Sequence, residues 1–155
     1  MTLGIDDLIR AISHGPTDTT AGGTLEFTPD GSVVVGDEFR RAEAAWHEGL
    51  AAMARVGDGV GIIIDEVFLA GRKSQARLQS ALKDLPVVWV GVLCQPEVAE
   101  GRERERADRH IGMARHQSER VHGGVAYDVV VDTSDRSADE CALAIVAWMQ
   151  DHECE

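Results

Sequence analysis

Three continuous apolar runs constrain what this chain can fold into: VGIIID at 60–65, VVWVGVLC at 87–94 and YDVVVDT at 127–133. None alternates apolar with polar residues, and helix-length segments separate them. A strand with one wet face would alternate, so these strands are expected in a parallel sheet covered on both faces by helices. The expected fold class is α/β. Ligands of such sheets bind beyond the carboxyl ends of the strands, which places Asp65, Glu66, Gln95, Asp132 and Thr133 along one expected edge.

The rest of the chain supplies the covering layers. DDLIRAISHG carries Leu8, Ile9 and Ile12 at helical spacing and stops at Gly15-Pro16. Alternation in TLEFTPDGSVVVG predicts a hairpin over 24–35, with Leu25 and Phe27 before a Pro29-Asp30-Gly31 turn and Val33 and Val35 after it. DEFRRAEAAWHEGLAAMARVG puts Phe39, Trp46, Leu50, Met53 and Ala54 on one face of a helix running from Asp37 to Gly57. Within that helix His47-Glu48 reads as surface. Further helices are expected in GRKSQARLQSALKDL, in the long arginine-rich segment 96–122, and in SADECALAIVAWMQDH.

Length and charge narrow the function. At 155 residues and 44% hydrophobic content, residues 1–155 suit one domain with a real core. The formal net charge of -12 repels phosphate backbones and anionic lipid, so no nucleic-acid or membrane partner is expected. Neither a membrane-length apolar run nor a signal sequence is present, and the chain reads as soluble and cytoplasmic. Cys94, Cys141 and Cys154 form no CxxC pair and the six histidines no HExxH, so a metal held by protein ligands alone is not expected. Cys94 and Cys141 read as small core residues.

Two features point to phosphate chemistry. Asp65 and Glu66 end a buried-type strand, where a carboxylate either holds Mg²⁺ or its water in phosphoryl transfer or caps the following turn. Arg102, Arg104, Arg106 and Arg109 follow the next strand, and Arg102, Arg106 and Arg109 are expected to share one helical face at i, i+4, i+7. Guanidinium forks match phosphate oxygens. The alternative is a solvated face in which Glu103, Glu105 and Asp108 pair with the arginines. A GxxxxGK[ST] loop is not found: in EVFLAGRKS an arginine separates Gly71 from Lys73, and Glu66 stands at the first glycine position.

The motifs LGIDDLI, GGTLEFTPDGSVVVGDEFR, GIIIDEVFLAG, WVGVLC, AEGRERERADR with GMARHQ, and YDVVVDTS, in this order and spacing over residues 3 to 148, resemble the chloramphenicol phosphotransferase family. The resemblance implies a P-loop-kinase-like α/β fold with a β-hairpin insertion and an arginine-rich lid within 96–122. It also implies transfer of the γ-phosphate of ATP, with Mg²⁺, to a hydroxyl of chloramphenicol or a similar small molecule, inactivating the antibiotic. By position, Asp6 matches the general base, Asp65 the acidic strand end that serves Mg²⁺, and Arg102, Arg106 and Arg109 the lid arginines. Asp132, Thr133 and Ser134 fall where related kinases pass the adenine. Asp7 stands where the family lacks an acid and reads as a helix N-terminal charge, Glu66 replaces a usual aspartate, and Arg104 does not match and is expected to face solvent.

The departure lies at the start. Family members open with a strand and a Gly-x4-Gly-Lys-Ser loop, whereas Met1 falls inside the family's second strand. The phosphate-holding half is therefore expected before Met1, either upstream of a misassigned start or lost. Without the central first strand, the edges of the strands at 60–65 and 87–94 would be unpaired, so poor stability and no phosphotransfer by the chain alone are expected. The alternative function is a non-catalytic remnant that binds a small molecule or a protein.

Overall fold

A computed structural model of the protein describes residues 1–12, 25–28, 32–56, 61–106 and 112–152. Strand β1 (Thr2–Gly4) runs straight into helix α1 (Ile5–Ile12). At its third position Asp7 reaches back to accept the Gly4 N–H at 2.9 Å, half of a capping box, as expected of a helix N-terminal charge. Strands β2 (Leu25–Phe27) and β3 (Val33–Val35) pair antiparallel, Leu25 opposite Val35, and the Thr28 N–H donates to Ser32 O at 3.0 Å. The Pro29-Asp30-Gly31 turn expected between them lies outside the described residues.

Helix α2 (Asp37–Val56) opens on Asp37 and Glu38 and closes near Arg55, charges that complement its dipole. Its buried face differs from the one expected. Phe39, Glu43, His47, Leu50 and Ala51 are buried, while Met53 is exposed. Two polar residues lie on that face, and the first of them is answered by arginines. Glu43 accepts from Arg40 at 3.0 Å and from Arg77 at 3.1 Å. His47, expected at the surface, is 4% exposed and turned toward Glu66.

Strand β4 (Ile63–Asp65) is followed by helix α3 (Arg72–Ala81). Ala51, Leu78, Ala81 and Leu82 form a cluster against which Ile64, Phe68, Leu85, Val87 and Trp89 pack. At the far end Arg55 donates to the Asp84 carboxylate at 2.7 and 3.0 Å and to Ala81 O at 3.0 Å, tying α2 to the end of α3. The Arg55 guanidinium holds the exposed Asp84 carboxyl below its ordinary pKa.

Strand β5 (Val90–Leu93) leads into helix α4 (Pro96–Arg104), then helix α5 (Met113–Arg120), strand β6 (Val129–Asp132) and helix α6 (Ala138–Asp151). The single helix expected across 96–122 is thus two. Gly112 separates them with φ 97, a left-handed value that favours glycine, and a carboxylate from α4 caps α5. The segment before β6 is pinned to α3: the Gln75 amide donates to Ala126 O at 2.6 Å and accepts the Ala126 N–H at 3.0 Å. Helix α6 starts on a Ser137–Glu140 capping box, and Cys141 is buried as expected.

The parallel strands form two pairs in place of one sheet. β1 pairs with β4 and β5 with β6, both parallel, and among the described residues no hydrogen bond joins β4 to β5. Their faces are correspondingly open, with Ile63 65% and Val92 55% exposed. Two-stranded sheets are marginal alone, and unpaired edges bearing β-branched residues template intermolecular pairing. The purified chain is expected to scatter light increasingly with concentration and to bind a hydrophobic dye. A monodisperse monomer with a cooperative melt would overturn that expectation.

Candidate active site

The first polar edge is built by the β1–β4 register, which sets Gly4 opposite Asp65. The strands approach so closely there that a Cβ on Gly4 would lie 2.8 Å from Asp65 O. Glycine lets the turn into α1 sit against the end of β4. Asp6, two residues on, is exposed and has no hydrogen-bond or ion-pair partner among the described residues. Asp7 is engaged with Gly4 and with Arg10 at 3.0 Å, so the adjacent acids differ in availability. Asp65 is likewise exposed.

Glu66 leaves that edge. Its side chain is 6% exposed, and Oε1 faces His47 Nε2 at 3.8 Å, beyond hydrogen-bond reach; neither atom has another partner among the described residues. The expected pairing of Asp65 and Glu66 at the strand end is therefore replaced by one outward carboxylate and one inward. Consecutive strand residues point to opposite faces, and the glutamate is long enough to reach α2.

A second polar edge lies beyond β5 and β6, where Leu93 is opposite Asp132 and the Thr133 N–H donates to Leu93 O at 2.8 Å. Ser134 donates its N–H at 2.8 Å and its hydroxyl at 2.5 Å to Asp132, which lowers the Asp132 pKa below its ordinary value. Ser134 Oγ accepts the Gln95 N–H at 2.8 Å, joining the two strand ends. Arg102 donates to Thr133 O at 2.6 Å, to Thr133 Oγ1 at 3.2 Å and to Cys94 Sγ at 3.5 Å. Cys94, expected as a core residue, is half-buried and serves as an acceptor at this edge.

Helix α4 ends at Arg104, so Arg102 and Arg106 do not share a helical face. Arg104 is largely exposed and pairs with Glu100 at 3.3 Å. Arg106 is exposed, with no side-chain hydrogen bond or ion pair among the described residues. Arg109 lies outside the described residues. Glu103, expected to offset the arginines, is buried and bonded elsewhere.

The Gly71-Arg72-Lys73-Ser74 segment was the nearest sequence approach to a phosphate loop. Its N–H groups are already spent: Arg72 donates to Gly123 O, Lys73 to Ala70 O, and Ser74 and Gln75 to Gly71 O. No N–H there converges on an anion, which agrees with rejecting it on spacing. Among the described residues no group of three His, Cys, Asp or Glu could hold a metal, and no helix is long and apolar enough to cross a membrane.

The model of the chloramphenicol phosphotransferase-like protein family matches residues 1–150. The chain belongs to this family. No curated protein matches it. Membership in a kinase-like phosphotransferase family accounts for the α/β order of elements and for acids collected at strand ends. In this member the structure brings Asp6 and Asp65 to one strand-end edge and Arg102, Asp132 and Thr133 to the other. Sequence reasoning passed over the His47–Glu66 pair and the cap made by Glu103; both join residues distant in sequence. A helical spacing of four between Glu43 and His47 was the available signal for a polar seam on α2.

Proposed function

We propose that the protein belongs to a phosphotransferase that moves the γ-phosphate of ATP to a hydroxyl of chloramphenicol or a similar small molecule. The observation that carries this reading is the family match across residues 1–150. ATP with Mg²⁺ would supply the phosphoryl group, and the groups present fit it in part. Asp65 offers an exposed carboxylate of the type that serves Mg²⁺, and Arg106 a guanidinium suited to phosphate oxygens. A backbone N–H cradle is not found among the described residues.

Asp6 is the proton acceptor in this reading. Its unengaged carboxylate takes the proton of the acceptor hydroxyl as the oxygen attacks phosphorus. The β2–β3 hairpin walls the acceptor pocket, and Asp132 and Thr133 border the nucleotide base. Other hydroxyl acceptors remain within this class, because fold constrains substrate weakly. The lack of an N–H cradle among the described residues favours a second reading, a small-molecule or protein binder without catalysis.

Phosphate transfer from ATP and Mg²⁺ to chloramphenicol separates the two. It is to be assayed on the 155-residue chain and on a form carrying any in-frame upstream sequence. Transfer, by the chain or by the extended form, is the expected result. Acceptor binding without transfer by either form would replace the kinase reading with the binding one.

A further inference from the structure

We propose that Glu103 is a positioning residue that sets Arg106 for contact with phosphate oxygens. This deepens the phosphotransferase reading and rests on it. Helix α5 has no capping side chain of its own, since its N-cap is Gly112. The first N–H groups of a helix need acceptors. Glu103 supplies them from nine and eleven residues back, Oε2 accepting from the Gly112 N–H at 2.8 Å and Oε1 from the Ala114 N–H at 2.7 Å.

Burying a carboxylate is costly unless its oxygens are bonded, and at 6% exposure Glu103 has both oxygens used. The positive end of the α5 dipole adds to the attraction. The same residue's carbonyl accepts the Arg106 N–H at 3.1 Å. One buried residue thus fixes the point where the chain leaves α4 and the point where it re-enters helix at Gly112. Glu100 reinforces the frame by pairing with both Arg104 and Arg115.

The neighbouring arginines are committed. Arg102 is bonded to Thr133, Arg104 and Arg115 to Glu100, and Arg120 to His116. Arg106 alone among the described arginines of α4, α5 and their junction has no side-chain partner among the described residues. It is also the one whose backbone Glu103 holds. Its guanidinium is therefore available to an anion, at a place set by a residue that never touches the anion.

The test is an NMR titration with inorganic pyrophosphate, carried out on a form and at a concentration of the protein that stays monodisperse, which reads millimolar binding and needs no catalysis. Wild type is expected to shift the Arg106, Gly112 and Ala114 amides. Glu103→Gln keeps one acceptor and loses the second along with the charge. It should bind at least about tenfold more weakly, a loss of about 1.4 kcal/mol, with the spectrum elsewhere unchanged. Arg106→Met should abolish the shifts, and Glu103→Gln added to it should change nothing further. Should the Gln variant fail to fold, Glu103→Asp, which retains the charge but is one methylene shorter, is read the same way.

Equal binding by the folded Glu103 variant, or no titration of wild type, overturns the inference. The expected titration combined with no phosphate transfer by any form of the protein would instead remove the kinase reading and leave the anion site standing.

Discussion

Asp6→Asn is expected to lower kcat for phosphate transfer by about 10²–10⁴-fold in the form of the protein that transfers phosphate, the usual range for losing a general base. The argument rests on availability. Asp6 is exposed and unpartnered among the described residues, whereas Asp7 beside it is committed to the Gly4 N–H and to Arg10. The close β1–β4 approach at Gly4 puts Asp6 at the strand-end edge that carries Asp65. Its melting temperature should stay unchanged, because no fold contact is lost. Asp7→Asn should show the reverse pattern, keeping kcat and losing about 1 kcal/mol through the weakened cap. A full-rate Asp6→Asn enzyme would end the assignment of Asp6 as base.

Gly71→Ala is expected to destabilise the fold more than any other single methyl addition considered. Gly71 has φ 52, and a Cβ there would lie 2.3 Å from Gly123 O, a backbone atom that cannot swing aside. The left-handed backbone alone costs about 1–3 kcal/mol for a non-glycine residue. The clash adds to it, against a total stability of about 5–15 kcal/mol for a typical domain. The contact also aligns Gly123 O to accept the Arg72 N–H, so α3 and the segment before β6 would separate together. In a form of the protein that melts cooperatively, a fall in Tm of about 10 °C or more is expected by thermal denaturation. Gly49→Ala is the control: nothing lies within 4 Å of its Cβ site, it sits inside α2, and removing a helical glycine should raise stability by about 1 kcal/mol. Equal effects of the two substitutions would show that the Gly71 contact does not govern stability.

The elements that carry strong local signals were legible from the residues. The α/β class followed from apolar runs without alternation, and each run contains a parallel strand: Ile63–Asp65, Val90–Leu93 and Val129–Asp132. The limits of α2 followed from Asp37 and the glycine after Val56. The arginine segment went wrong for an identifiable reason. A helical spacing of arginines is satisfied by any continuous helix, and nothing local to residues 102–109 reveals that Glu103 will bond to Gly112 and Ala114. The His47 error has the same origin, since a histidine looks like surface until Glu66 is seen across from it.

What the residues determined by themselves was therefore the inventory and its order: which segments become strand or helix, which acids close strands, and which family pattern they compose. Those are consequences of periodicity and of backbone preferences within a few residues. Tertiary structure alone decided which charged groups remain available. It committed Asp7, Arg102 and Glu103 to hydrogen-bond partners inside the fold, turned Glu66 inward to face His47, and left Asp6, Asp65 and Arg106 exposed. The physical reason is that a buried charge must find its partner wherever packing brings one, often from a different element, and spacing along the chain carries no record of that meeting.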